Sequence, residues 1–273
     1  QALRAIRKEG QIPFVWDLDF VEVFSSNVEG FDVVIGNPPY VRQEDVDDPQ
    51  GERDVTEDEL RARKSRYKDD LLAAVAARWP RSFGGQNPSL ALTKRSDLYL
   101  YFYLVGLSLL GEGGAFCFIT SNAWLDVGYG AGLQEFLLTR GQVRLIIDNQ
   151  VKRSFAEADV NTIIALLAKP VDGASARSAS LDHVARYVMC QVPFEVMLNP
   201  VPWQEIEGAH ERRATPEYRV FPAKQRWLRE QGIDPEKQRY AGDKWGGKYL
   251  RAPDIYWTIL QKAGDKLVRL GDI

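Results

Sequence analysis

The sequence contains few of the residue types that bind metals or form disulfides. Its 273 residues include only two cysteines and two histidines. Cys117 and Cys190 lie inside apolar runs, where a thiol behaves as a small core hydrophobe. Neither His183 nor His210 has a Cys, His or carboxylate at a metal-ligand spacing. We therefore expect no disulfide framework and no metal site, and a reducing cytoplasm as the compartment.

The sequence also lacks a long hydrophobic run. Its longest apolar stretch, residues 98–110, is too short to cross a bilayer. The chain starts at Gln1 rather than a methionine and has no cationic leader followed by an apolar centre. With 45% hydrophobic and 27% charged residues, it is predicted to be a soluble globular piece of a longer protein. The net charge of −3 argues against a surface that is basic all over.

Apolar runs alternate with helical patterns along the chain, which indicates an α/β fold. Residues 1–170 are predicted to form one domain with a charged, helical or partly mobile insertion over 42–90. A linker over 170–180 leads to a smaller α+β extension at 171–273. The predicted strands are 12–16, 31–36, 115–120, 143–148, 162–168 and 184–192. The predicted helices are 98–110, 124–139, 222–231 (with proline at its first position) and 254–262.

A stiff loop follows the strand predicted at 31–36. It reads Asn37-Pro38-Pro39-Tyr40, and each proline restricts the residue before it to extended backbone. The carboxyl ends of strands are where open α/β sheets place their ligand sites. The loop would hold the Asn37 amide and the Pro38 carbonyl in fixed directions. Two such acceptors can keep an aromatic amine, such as N6 of adenine, pyramidal and nucleophilic.

The motif and its surroundings resemble the adenine-specific DNA methyltransferases of the gamma motif order. The likeness is closest to the long, fused methylases of type IIG restriction-modification systems and their phage-defence relatives. It is carried by the tetrapeptide and by flanking segments at 32–36, 96–99 and 113–120. The resemblance implies the catalytic half of a Rossmann-like fold, S-adenosylmethionine as cofactor and double-stranded DNA as partner. It also implies a flipped-out adenine, for which Tyr40 would offer a stacking face.

The same resemblance assigns roles to four further residues. Asp19 and Phe20 match an acidic-aromatic pair that binds the cofactor, although a surface acid beside a core phenylalanine explains them equally well. Asp97 is a candidate on the cofactor side or, alternatively, a helix N-cap. Phe155 precedes a segment ending Val-Asn-Thr-Ile and matches a residue that stacks on the flipped base, and a buried loop phenylalanine is the alternative.

One expected element of that family has no counterpart in the sequence. The Gly-rich cofactor loop lies upstream of the catalytic motif in the family, and residues 1–11 are too short and too charged to contain it. Residues 240–260 and 270–273 resemble the stretch that leads into a target recognition domain. We therefore expect the parent protein to be an enzyme and the isolated piece to be inactive.

Two rival functions remain open on the sequence alone. Methyltransferases acting on protein glutamine or RNA guanine use similar Asn-Pro-Pro loops on the same fold, and the insertion, the Phe155 segment and the long extension favour DNA. A non-catalytic DNA-binding module that kept the fold is the third possibility.

Overall fold

A computed structural model describes residues 14–24, 30–84, 92–151, 161–169 and 176–268. Phe155, the predicted stacking residue, lies outside these ranges. The predicted boundary between residues 170 and 171 and the motif stretch at 270–273 also lie outside them. Within the described ranges, no helix is long and apolar enough to cross a membrane.

A mixed seven-stranded sheet forms the centre of the structure, in the order β1-β2-β4-β3-β5-β7-β6. β1 runs parallel to β2 and β3 parallel to β5, while the remaining pairs are antiparallel. The strands are β1 Phe31–Gly36, β2 Leu110–Ser121, β3 Gln142–Asn149, β4 Thr162–Ala168, β5 Val184–Cys190, β6 Arg213–Ala214 and β7 Tyr218–Lys224. A separate hairpin pairs β8 Ile233–Asp234 with β9 Arg239–Tyr240.

Helices connect the strands, as the α/β prediction requires. They are α1 Trp16–Asp19, α2 Val21–Phe24, α3 Glu57–Arg78, α4 Leu98–Ser108, α5 Ala131–Arg140, α6 Ala176–Asp182, α7 Pro200–Glu207, α8 Gln225–Gln231 and α9 Asp254–Ala263. Short 3₁₀ turns lie at Ala123–Leu125, Gly128–Gly130, Val196–Leu198 and Gly264–Lys266, and a π-helix spans Gly246–Arg251.

Two hydrophobic clusters cover the sheet around β3. Ile146 belongs to the larger cluster, while its neighbours Leu145 and Ile147 belong to the smaller one. Neighbouring side chains in a strand point to opposite faces, so both faces of the central sheet are covered. Helix α4 packs closely against β2, because a Cβ on Gly106 would lie only 2.8 Å from the ring of Phe116. This packing explains why residues 98–108 are apolar on most sides.

Strand β1 differs from the central strands because only one of its faces is covered. Val34 packs against the larger cluster, whereas Val33 and Ile35 are 59% and 76% exposed. The two parallel pairs, linked through antiparallel β4, direct the carboxyl ends of β1, β2, β3 and β5 to one edge of the sheet. Antiparallel β4 begins at that same edge. The candidate site lies there.

Several sequence predictions are confirmed and others are wrong. The structure has β1 and β4 at the predicted residues and a helix in the charged insertion. The strand predicted at 12–16 is wrong at Trp16, which begins a short helix. The helix predicted at 124–139 starts only at Ala131, after two 3₁₀ turns. The chain folds back tightly there, since an added Cβ on Gly130 would overlap the Trp124 carbonyl oxygen.

The predicted C-terminal extension continues the same sheet. Strand β5 pairs in parallel with β3, and β7 then pairs with β5. Pro222, predicted as the first residue of a helix, lies inside β7, and helix α8 begins only at Gln225. Pro222 lies opposite Arg186 of β5, so pairing with a neighbouring strand outweighs the local helix signal of proline. Part of the predicted linker, from Ala176, is helical.

Candidate functional site

The Asn37–Tyr40 loop lies at the carboxyl end of β1, where it was predicted. Asn37 is exposed and Pro38 is buried. The Asn37 side chain makes no hydrogen bond to the residues that the structure describes, so its amide is open to a ligand. The Tyr40 hydroxyl donates to the backbone carbonyl of Ile119 in β2 at 3.4 Å, and burial raises the pKa of Tyr40. The loop is thereby held against the neighbouring strand.

A cavity of about 560 Å³ opens beside this loop. The cavity lies where the segment after β1, the start of α4, the end of β2 with the 3₁₀ turns that follow it, and the residue before β4 meet. The backbone N–H of Asn122 donates to the Asn161 carbonyl at 2.9 Å, which joins the last two. The cavity is lined by Tyr40, Val41, Arg42, Gln43, Glu44, Arg95, Asp97, Tyr99, Ser121, Asn122, Ala123, Tyr129 and Asn161.

Asp97 holds the segment that follows the loop. It occupies the N-cap position of α4, as expected, but its side chain caps no helix amide. One carboxylate oxygen accepts from the backbone N–H of Gln43 at 2.8 Å, and the other accepts from the Tyr129 hydroxyl at 2.6 Å. The N–H of Leu98 also donates to the Val41 carbonyl at 3.0 Å. Asp97 therefore positions the chain immediately after Tyr40.

Two tyrosines that the sequence analysis did not single out complete this network. The Tyr99 and Tyr129 hydroxyls are 3.0 Å apart. Because Tyr129 uses its proton to donate to Asp97, Tyr99 must donate to Tyr129. Burial raises the pKa of both tyrosines, and the hydrogen bond to Asp97 raises that of Tyr129 further. Both hydroxyls thus remain protonated donors at neutral pH.

The sequence carried only a weak signal for these tyrosines. Tyr129 is flanked by two glycines, in a stretch that otherwise fits a helix. Tyr99 lies in an apolar run that explains its burial without any polar role. Their partners are distant in sequence, so only the folded chain reveals the network.

Asp19 and Phe20 lie away from the loop. The Phe20 ring contacts Phe31, with ring centroids 5.3 Å apart, and Asp19 accepts a hydrogen bond from the backbone N–H of Val15. Phe31 begins β1 and Asn37 follows its end, so the strand separates the two by about 20 Å. The structure therefore brings Asp97 to the cavity but not Asp19 or Phe20. Their cofactor role remains a prediction, as does the stacking role of Phe155.

The arrangement offers hydrogen-bond acceptors and aromatic surface. The Asn37 amide oxygen and the Pro38 carbonyl are neutral acceptors on a stiff loop. Tyr40 provides an aromatic side chain at the rim of the cavity, while Arg42 and Arg95 provide positive charge.

Comparisons with known proteins place the chain among restriction-modification methylases. A family model described as "Eco57I restriction-modification methylase" matches residues 4–76 and 82–155, more than half of the chain. The chain is 28% identical over 134 residues to Type II methyltransferase M.BstVI of Geobacillus stearothermophilus, covering 49% of this chain and 18% of that protein. It is 33% identical over 114 residues to Type II methyltransferase M.XhoI of Xanthomonas vasicola, covering 40% and 15%.

The chain thus spans less than a fifth of the length of these curated relatives. Among solved structures, the type IIG restriction endonuclease BpuSI matches 73% of this chain and 20% of its own, at 16% identity and a TM-score of 0.47. The family match, together with the observed α/β sheet, confirms the predicted Rossmann-like methyltransferase fold.

Proposed function

Since the chain belongs to the Eco57I restriction-modification methylase family, we propose that it carries the catalytic loop of an adenine-specific DNA methyltransferase. In this proposal the full-length protein transfers a methyl group from S-adenosylmethionine to the N6 amino group of adenine. The observation that carries it is the Asn37–Tyr40 loop, open to ligand at the carboxyl end of β1 and beside a cavity lined by Tyr40.

Catalysis by this loop rests on orienting a weak nucleophile. The N6 lone pair of adenine is delocalised into the ring. When the Asn37 side-chain oxygen accepts one N–H and the Pro38 carbonyl accepts the other, the nitrogen is held pyramidal and its lone pair is localised. Neither acceptor is charged, and no strong base is needed before methylation, because the amine proton becomes acidic only afterwards. The buried Pro38 ring and the Tyr40 hydrogen bond support the stiffness that this geometry requires.

The substrate must reach the loop as a flipped-out base. An adenine stacked inside a duplex cannot present its amino group to a loop at the rim of a cavity, so the nucleotide must leave the helix. Tyr40 would stack on the extruded ring, and Phe155, if its predicted role holds, would stack on the other face. Stacking on an aromatic side chain returns about 1 to 3 kcal/mol per base.

S-adenosylmethionine would supply the electrophilic methyl group in this proposal, but the three residues predicted to bind it are not brought together. Both carboxylate oxygens of Asp97 are already engaged by Gln43 and Tyr129, and Asp19 and Phe20 lie at the opposite end of β1. The contribution of this chain's own residues is therefore to hold and orient the methyl acceptor.

Methyl transfer by the full-length protein tests this function. The protein is incubated with tritiated S-adenosylmethionine and, in parallel, with duplex DNA, a mixture of bacterial proteins and total RNA. We expect label in DNA alone, recovered as N6-methyladenine after digestion. Label in protein or RNA would assign the loop to one of those substrates. An absence of label from all three would favour a non-catalytic module.

A further inference from the structure

Helix α3, in the insertion after the catalytic loop, forms one wall of a basic groove. Arg61, Lys64 and Lys68 are spaced by three and four residues, so they lie on the same face of the helix. Lys94 and Arg95, from the segment before α4, line the groove together with them. The groove has a volume of about 560 Å³. We call it the α3 groove.

Positive charge dominates the α3 groove although the whole chain has a net charge of −3. Its five basic side chains are accompanied by one acidic residue, Glu57. Lys94 is neutralised, because its ammonium lies 2.7 Å from a carboxylate oxygen of Asp69. In contrast, Arg61, Lys68 and Arg95 form no ion pair within the described ranges. These three unpaired cations can accept an anionic ligand.

The α3 groove adjoins the cavity beside the Asn37–Tyr40 loop. Gln43 and Arg95 line both of them. The Lys64 ammonium donates to the Glu44 carbonyl at 2.7 Å, and Arg63 forms an ion pair with Asp47. These contacts tie α3 to the segment that follows Tyr40. A ligand in the groove therefore lies next to anything bound at the loop.

The spacing of the cations matches a polyanion better than a single small anion. From Arg61 to Lys68 the helix rises about 10 Å, at roughly 1.5 Å per residue. Phosphates along one strand of duplex DNA advance about 3.4 Å along the helix axis each, so this interval corresponds to about three of them. Arg95 lies where the groove meets the cavity, because it lines both.

We propose that the α3 groove binds the phosphate backbone of duplex DNA beside the target nucleotide, with Arg61, Lys68 and Arg95 as its phosphate contacts. The proposal rests on the proposed function for the substrate class. It gives the insertion a role in holding the strand from which the adenine is extruded. Backbone contacts of this kind fix the register of a protein on DNA without reading its sequence.

The test measures binding of the full-length protein to a labelled duplex DNA of mixed sequence, by fluorescence anisotropy over a series of salt concentrations. The variants are R61Q, K68Q, R95Q and the triple combination. Each neutralised phosphate contributes about 0.9 to the slope of log K against log salt concentration. The slope is negative, so we expect each single variant to make it less steep by about 0.9 and the triple variant by about 2.7.

Arg66 provides the matched control. Arg66 is exposed on the same helix but does not line the α3 groove. The R66Q variant therefore removes one positive charge from the helix without changing the groove. Its salt slope should equal that of the wild type. Thermal unfolding midpoints of all variants should be unchanged, because the three substituted side chains form no ion pairs. A slope for the triple variant equal to that of R66Q would overturn the proposal.

Parallel methylation assays separate this proposal from the function on which it rests. If the wild-type protein methylates DNA and the triple variant keeps the wild-type slope, the groove assignment fails and the function stands. If the slope of the triple variant is less steep but the wild-type protein transfers no methyl group to DNA, the groove is a DNA-binding surface and the proposed function fails. A slope change confined to duplex RNA would reassign the groove to RNA and refute its role with DNA.

Discussion

At the scale of single residues, the Asn37 amide is the group on which the proposed chemistry depends most directly. Replacing Asn37 with Ala in the full-length protein removes one of two positioned acceptors. By analogy with single oxyanion-hole donors, we expect the rate of methyl transfer to fall on the order of 10² to 10³-fold. DNA affinity and the unfolding temperature should stay close to wild type, because Asn37 is exposed. Wild-type turnover in this variant would contradict the two-acceptor mechanism.

Tyr129 tests whether the Asp97 network stabilises the site. Tyr129→Phe removes a 2.6 Å hydrogen bond to a carboxylate in a partly buried position. Hydrogen bonds to charged groups contribute roughly 1.5 to 3 kcal/mol, so urea denaturation should show a loss of about that size. Tyr101→Phe is the control, because the Tyr101 hydroxyl only donates to the Thr93 carbonyl at 3.4 Å.

The two variants should also differ in methyl transfer. Tyr129→Phe leaves Asp97 with Gln43 as its remaining partner in this network, so the segment after Tyr40 loses part of its support. We therefore expect a reduced kcat with little change in the KM for DNA. Equal loss of stability in both variants, with kcat unchanged, would show that the network does not support the loop.

Phe155 is predicted to stack on the flipped base. If it does, Phe155→Ala should slow methylation of duplex DNA by roughly ten- to a hundred-fold, the factor implied by a stacking energy of about 1 to 3 kcal/mol. Phe155→Trp should retain most of the activity because it keeps an aromatic face. A core phenylalanine behaves differently, since its truncation costs about 3 to 5 kcal/mol of folding stability. A lowered melting temperature with intact turnover would therefore identify Phe155 as core.

At the scale of secondary-structure elements, one buried glutamine joins the C-terminal extension to the catalytic sheet. Gln225, the first residue of α8, is fully buried. Its amide nitrogen donates to the carbonyls of Leu137, Leu138 and Gly141 at the end of α5, and its oxygen accepts from the N–H of Val143 at 2.8 Å. The Gln225 side chain thus provides hydrogen-bond partners for backbone carbonyls at the end of α5 and for a backbone N–H at the start of β3.

Removing the Gln225 side chain should lower the free energy of unfolding. Gln225→Leu leaves buried carbonyls and a buried N–H without partners, and each unsatisfied group costs about 1 to 3 kcal/mol. We expect a destabilisation of at least about 2 kcal/mol in urea denaturation. The neighbouring Arg226→Leu is the control, because its exposed ion pair with Asp182 contributes about 0 to 1 kcal/mol. Equal stability of the two variants would contradict a joining role for Gln225.

Helix α3 shows how a highly charged segment can form a regular helix and also line the proposed binding groove. Thr56 and Glu59 form a capping box at its start, and the acidic residues of its first turn favour the helix dipole. Its acids are concentrated near that end, which leaves the basic residues of the next two turns free to line a groove. Charge segregation along α3 therefore favours the helix dipole in the first turn and presents basic side chains to the proposed ligand in the turns that follow.

At the scale of the whole molecule, the sheet collects the site from segments far apart in the chain. Strands β1, β2, β3 and β5 point the same way, so the loop after β1 and the turn after β2 meet at one edge. The extension adds its own strands beyond β3. A net charge of −3 weakens the long-range attraction of this chain to DNA, so the proposed DNA contact depends on the local positive charge of the α3 groove.

Local sequence patterns by themselves determined two of the strands and the Asn37–Tyr40 loop. Apolar, β-branched runs define β1 and β4 at their predicted residues, and β4 is largely buried in the centre of the sheet. The two prolines after Gly36 stiffen the loop through steric restrictions that act within neighbouring residues. Both effects are short in range, so they can be read from a few adjacent positions.

Only the tertiary structure decided which polar groups meet around that loop. Asp97 bonds Gln43 and Tyr129 across separations of 54 and 32 residues. Pro222 entered a strand because β5 supplied a neighbour for it. Periodicity identifies the apolar side of an element but not its partner in space. Long-range packing selects that partner, and it therefore placed Tyr129 beside Asp97 and the cations of α3 beside the catalytic loop.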